Sequence, residues 1–306
     1  TVNRLNVRAV DLKIENYPSE LKYYYKTVPD YSQWLFTVSF YNGTEIAVDY
    51  THISINMPEI TKEGVYNITL FSDCYHISEN LEVIFFKEQV GDSYNYINFQ
   101  GTIILTGLTD SGKVQTELVV PETIDGLPVE TIDDGAFADT QSLETVYLPS
   151  SLKNLGNGVF QGCTALYKVG LSGDKIGLTS FGEKSFSGCS NLREIEFWGQ
   201  ITEVGDSAFE NCEKFFPDLT NVKVVGTRAF WGCNSVSRLD VSKFTYIGDY
   251  AVANIINSEL QLTIQYLTAD INETTFENST IKQLNLDTVS DLEGKISFLK
   301  TVPYIS

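Results

Sequence analysis

Four of the five cysteines, Cys163, Cys189, Cys212 and Cys233, share one slot of a recurring phrase. Each stands three residues after a phenylalanine and three before an apolar residue, as in "VFQGCTALYKVGL" at 159–171. Cysteines so spaced could ligate metal, pair as disulfides, act as nucleophiles or fill a core. Other copies of the phrase put Thr140, Ile255 and Ser279 in the same slot, a tolerance that neither a ligand nor a nucleophile allows. There is no CxxC and no histidine in the repeats, so a zinc site has no spacing to support it. An odd count at one cysteine per unit is unlike a disulfide-stapled scaffold. The slot reads as small buried filling.

Three other constellations fail on their own chemistry. "GLTDSGKV" at 107–114 matches G-x4-G-K, but a phosphate-binding loop needs Ser or Thr where Val114 stands, and a helix behind it. A strand follows instead, and a hairpin turn is expected there. His52 and His76 are the only histidines, and neither stands beside a plausible nucleophile or a metal cluster. Glu194 and Glu196 have the look of an acid/base pair, yet at a spacing of two on a strand they point to one solvated face. No catalytic residue, cofactor-binding residue or metal ligand is assigned, and no enzyme is expected.

With 42% hydrophobic and 12% aromatic residues the chain has material for a sizeable core. Its net charge of −19 argues against binding a nucleic-acid backbone. No apolar run approaches the roughly 18 residues of a membrane span. Residue 1 is Thr, so the chain reads as a mature or trimmed fragment, in which any signal peptide would already be gone.

The elements that would position these residues follow from the repeat. Phe137, Phe160, Phe186, Phe209 and Phe230 recur at intervals of 23, 26, 23 and 21, and Val252 and Phe276 continue the series. Five positions before the anchors stand Ile132, Leu155, Phe181, Val204, Val225 and Ile247, and glycine follows five of them. Anchor, cysteine slot and the +6 position are three apart, which predicts a helical turn. The +9 and +11 positions are two apart, which predicts a short strand, and the glycine then permits a tight bend. A unit of this size cannot bury its apolar side alone, so units must stack into a solenoid.

The pattern I-G-x-x-A-F-x-x-C-x-x-L-x-x-[IV]-x-[LF] resembles the repeat of BspA-like leucine-rich-repeat proteins of bacterial surfaces. "LVVPETIDGLPVETIDDGAF" at 118–137 is similar to that family's first turn. The resemblance covers about residues 100–286 and implies a solenoid with a parallel sheet on one face and adhesion to extracellular proteins. Departures are Phe215-Phe216-Pro217-Asp218, which lengthens one unit, and two degenerate last copies.

Upstream, Trp34, Phe36, Val38 and Phe40 alternate with Leu35, Thr37, Ser39 and Tyr41, and "YNGT" marks a turn before Ile46, Val48 and Tyr50. Tyr66, Ile68 and Leu70, then Leu81, Val83 and Phe85, give further strands, the pattern of an all-β sandwich. "FTVSFYNGT" and "GVYNITL" resemble bacterial immunoglobulin-like domains. The expected fold is mainly β with short helical turns: an immunoglobulin-like β-sandwich over 1–95, then a leucine-rich-repeat solenoid over 96–306 with repeats at about 116–286.

Outward residues of stacked strands form two columns about 4.8 Å per rung. One reads Thr145, Lys168, Glu194, Asn221, Arg238, Gln261, Gln283; the other reads Tyr147, Gly170, Glu196, Lys223, Asp240, Thr263, Asn285. Tyr147, Tyr167, Trp198 and Trp231 fall at non-core positions, where aromatics serve docking. The partner surface is therefore expected at Tyr147, Tyr167, Glu194, Glu196, Trp198, Lys223, Arg238 and Asp240, with Trp198 as anchor. The resemblance implies a non-enzymatic secreted or cell-surface protein, extracellular or on the bacterial surface, that binds an extracellular protein. The alternative is a glycan-binding component of a larger surface assembly. No nucleotide, nucleic acid or cofactor is expected.

Overall fold

The period of two over 34–40 becomes the strand Leu35–Phe40, with Trp34, Phe36 and Val38 buried and Leu35 58% exposed between them. The computed structural model describes residues 9–15, 21–24, 32, 34–40, 44–58, 64–86, 89–256, 260–264 and 271–286. Two compact units divide the chain, Thr1–Glu88 and Gln89–Ser306. In the first, Ala9–Glu15, Leu35–Phe40 and Glu45–Val48 make one antiparallel sheet. Leu21–Tyr24, Ile77–Phe86, Gly64–Ser72 and Ile53–Asn56 make the other, in which only the Leu21–Tyr24 pairing is parallel. Leu12, Phe36 and Val38 from the first sheet share a core with Ile68, Leu70 and Val83 from the second, so the unit is a two-sheet sandwich. Ile46 lies opposite buried Val38 yet is exposed, because its strand is the open edge of the sheet. The turn expected at "YNGT" lies mostly outside the described residues, as do residues 287–306 of the expected solenoid.

The second unit opens with the hairpin Tyr94–Phe99 and Thr102–Leu108, turned at Gln100 (φ 50) and Gly101 (φ 84), both in the left-handed region such a turn requires. Thr102–Leu108 then pairs in parallel with Leu127–Ile132, and from there each coil hydrogen-bonds to the next. One side of the stack is a parallel sheet of Glu117–Val119, Thr145–Leu148, Lys168–Leu171 and Glu194–Ile195. A second side is built from two-residue strands, Ser180–Phe181, Glu203–Val204, Val224–Val225 and Tyr246–Ile247. A third sheet, Arg238–Asp240, Gln261–Ile264 and Gln283–Leu286, carries the last coils.

The anchor segments differ from the helical turns their spacing predicts. Two positions per coil have positive φ: two before the anchor (Gly135, Gly158, Lys184, Ser207, Arg228, Tyr250) and two after it (Asp139, Gly162, Gly188, Asn211, Gly232, Asn254). Left-handed residues at that spacing break a right-handed helix and turn alternate amides toward the next coil. Phe160 N donates to Ser185 O at 2.9 Å, Phe186 N to Ala208 O at 2.8 Å and Phe209 N to Ala229 O at 2.8 Å. Turns thus form a third hydrogen-bonded wall. Among the described residues the one α-helical turn is Asp110–Lys113.

The glycines of the two-residue strands serve contact rather than bending. A Cβ on Gly226 would stand 2.6 Å from the carbonyl carbon of Gly205, and one on Gly248 would stand 2.8 Å from that of Gly226. Each takes the preceding coil's backbone at a distance no side chain permits. Inside, Phe137, Phe160, Phe186, Phe209 and Phe230 run as one buried row, with Phe186 stacked between Phe160 at 5.2 Å and Phe209 at 5.1 Å. Burying each such ring stabilises the stack by about 1.5–3 kcal/mol.

Candidate binding surface

The outward columns of the first parallel sheet bring charged and aromatic side chains together. Register sets Thr145 beside Lys168 and Lys168 beside Glu194, and sets Tyr147 beside Gly170. A Cβ on Gly170 would meet the Tyr147 ring at 2.6 Å and Glu196 Oε2 at 3.2 Å. Absence of a side chain there lets the ring lie across the strand with Glu196 on its far side. Lys168 Nζ reaches Glu196 at 2.6 Å and Glu194 at 3.9 Å, so its closer partner is the diagonal carboxylate. Glu196 also accepts from Leu171 N at 3.0 Å. The Lys168 hydrogen bond holds the Glu196 carboxyl below its usual range, and Glu196 in turn raises the Lys168 ammonium. Glu117 and Val119 add a rung ahead of Thr145 and Tyr147; the alternation in "TELVV" carried that signal but was read only as a strand.

The eight expected partner residues do not form one surface. Tyr147, Glu194 and Glu196 come together around Lys168. Trp198 is a correction: it is 8% exposed, a core side chain. Counting by twos assumes that the strand continues past Phe197, but the sheet pairing ends at Ile195 and Trp198–Gln200 form a 3-10 turn that swings the indole inward. There it packs edge-on against Phe209 and Phe215 and donates its N–H to Asp218 O at 2.7 Å. Lys223 is a second correction. Pro217 has no N–H for a ladder, the coil passes through the 3-10 turn Leu219–Asn221, and Lys223 leads into the two-residue strand Val224–Val225 on another side. Arg238 and Asp240 lie beyond this interruption, on the third sheet, in the expected register with Gln261 and Thr263. Tyr167 is exposed on a flank, lining a shallow hollow with Glu144, Asn191 and Arg193. Trp231, also counted as outward, lies under the Arg228 guanidinium at 4.6 Å, and Arg228 is held by Glu210 at 2.6 Å.

The cysteine slot does more than fill. Cys163, Cys189, Cys212 and Cys233 are buried, free thiols, and each Sγ lies near the anchor carbonyl of the preceding coil. Cys189 Sγ to Phe160 O is 3.0 Å and Cys233 Sγ to Phe209 O is 2.9 Å. Ser279 makes the same contact to Val252 O through its hydroxyl at 2.8 Å, which explains why serine can occupy the slot. Burial pushes the Cys163 thiol up to about 12 and the other three upward as well, the reverse of what a nucleophile needs.

The phosphate-loop look-alike is not the hairpin turn expected. Thr109 caps a single helical turn, its Oγ1 accepting from Gly112 N at 3.1 Å. Gly112 is pressed against Ser93, whose carbonyl oxygen a Cβ would meet at 2.2 Å, so no phosphate could approach that amide. Among the described residues no group of three or more His, Cys, Asp or Glu converges on a metal position, and no helix is long and apolar enough to cross a membrane.

The sequence model of the BspA type leucine rich repeat region matches residues 114–217 and 216–299, in six copies. A T. pallidum leucine-rich repeat protein of known structure is 23% identical with a TM-score of 0.50, covering 71% of this chain and 97% of that one. That likeness shows the fold. A Bacteroides ovatus leucine-rich repeat protein (17% identical, TM-score 0.42) and a Faecalibacterium prausnitzii leucine rich cell surface protein (17%, 0.38) each cover 65% of this chain and 76% of their own. No curated protein matches the chain.

Proposed function

The chain belongs to the BspA type leucine-rich repeat family, and on that premise we propose that it is a non-enzymatic, secreted or surface-displayed adhesion protein of a bacterium that binds an extracellular protein through its first parallel sheet. The N-terminal unit, Thr1–Glu88 rather than the 1–95 expected from sequence, serves as an immunoglobulin-like spacer; the second unit, Gln89–Ser306, carries the contact. One observation carries the reading: the Tyr147 ring is already laid across Gly170 and flanked by a fixed Lys168–Glu196 pair. Side chains ordered before the partner arrives lose little entropy on binding, and an open solenoid sheet is a surface that repeat proteins use for recognition.

A panel of extracellular matrix proteins immobilised for surface plasmon resonance tests this. At least one should bind, and Tyr147→Ala with Lys168→Ala should weaken it by more than tenfold, about 1.4 kcal/mol, with the unfolding midpoint unchanged. Binding to no member of the panel, or unchanged affinity in the double variant, contradicts the proposal.

A further inference from the structure

The interruption of the sheet leaves a pocket whose chemistry differs from the rest of the face. Of the adjacent pair Phe215 and Phe216, one enters the core and the other does not. Phe215 does, stacking on Phe209 at 4.8 Å, and Phe216 is left 59% exposed. With Pro217 and Leu219 it lines a cavity of about 430 Å³, within the size range of small-ligand sites.

Facing these apolar walls are Arg238 and Lys243. Both are exposed, and neither is in an ion pair with any described residue. Two cations outside any described ion pair thus line one pocket, in a chain with 40 acidic and 21 basic residues. The two carboxylates that line the pocket are each committed through one oxygen. Asp218 Oδ1 accepts from Thr220 N at 3.0 Å and from the Thr220 hydroxyl, and Asp240 Oδ1 accepts from Ser242 N at 3.0 Å. In each, Oδ2 is left to accept a further donor.

We propose that this pocket binds a carboxylated sugar of the uronic-acid class. Its carboxylate would meet the Arg238 fork, which suits two-point recognition, with Lys243 adding charge. Ring hydroxyls would donate to Asp218 and Asp240, and the apolar face of the ring would rest on Phe216 and Pro217. An acidic peptide satisfies the cations but brings further carboxylates toward two aspartates, so the observations favour the sugar. The inference deepens the binding reading by adding a second ligand at a separate site.

Isothermal titration of the full chain with D-glucuronic acid and with a uronic-acid oligosaccharide tests it, with D-glucose and a Glu-rich peptide as comparators. The uronates should bind and glucose should not. Arg238→Gln and Phe216→Ala, both solvent-facing changes, should each weaken binding at least tenfold, with the circular dichroism spectrum and unfolding midpoint retained. Tyr147→Ala with Lys168→Ala should leave uronate binding unchanged, which separates this result from the protein panel. No uronate binding, equal binding of glucose, preference for the peptide, or undiminished binding by Arg238→Gln would each overturn the proposal.

Discussion

A buried thiol in this stack pairs with the anchor carbonyl of the coil before it, and this makes the cysteines structural in two senses. Spacing and the Thr, Ile and Ser replacements were enough to dismiss ligation and catalysis. The direction of the S–H could not be read from sequence, because it depends on how adjacent coils register. Cys74 is the exposed thiol of the five, so a thiol reagent at neutral pH should modify it alone, and the other four only after denaturant. The raised folded pKa values set a sign for pH dependence. Below the unfolded thiol pKa of about 8.5 both states hold the proton and stability is fully present. As pH rises above that, unfolded thiols ionise while buried ones do not, and stability is lost by about 1.4 kcal/mol per thiol per pH unit. Urea midpoints from pH 8 to 11 should therefore fall less steeply for Cys212→Ser, which keeps a donor in the slot, than for the native chain. Parallel curves would mean that Cys212 is not shielded.

At the level of elements, most of the fold was legible and the candidate site only in part: Tyr147, Glu194 and Glu196 come together as expected, while Trp198 and Lys223 do not join them. Alternation found the strands around Trp34 and Ile68, and the anchor period found the coils. Parity counting fails wherever a coil leaves the sheet early, which is why it points Trp198 outward and sets Lys223, which is exposed, on the wrong side of the stack. Pro217 was the visible warning, since a residue without an N–H cannot extend a ladder. Glycines following Leu155, Phe181 and Val204 were seen but assigned to bending, because close approach between coils has no local signature. That reassignment has a test. Gly226→Ala drives a methyl into the backbone of Gly205 and Asp206, which cannot yield as a side chain would, and should cost roughly 1–3 kcal/mol. At Gly199 a Cβ meets nothing within 4 Å, and the same substitution should change stability by less than about 0.5 kcal/mol. Equal effects at both positions, measured by denaturant unfolding, would contradict the close-contact explanation.

For the whole molecule, an acidic surface, a rigid stack and a preordered patch on one of its sides describe a protein whose work is contact. A strongly negative chain slows association with like-charged partners and favours basic or neutral ones, so in the proposed reading the Tyr147–Lys168–Glu196 patch supplies specificity at short range. Hydrogen–deuterium exchange on the full chain, with and without an extracellular protein that it binds, reads that claim most directly. The account predicts slowed exchange in peptides covering 117–119, 145–148, 168–171 and 194–196. Protection confined to residues 9–86, or to the anchor turns with those strands unchanged, would contradict it.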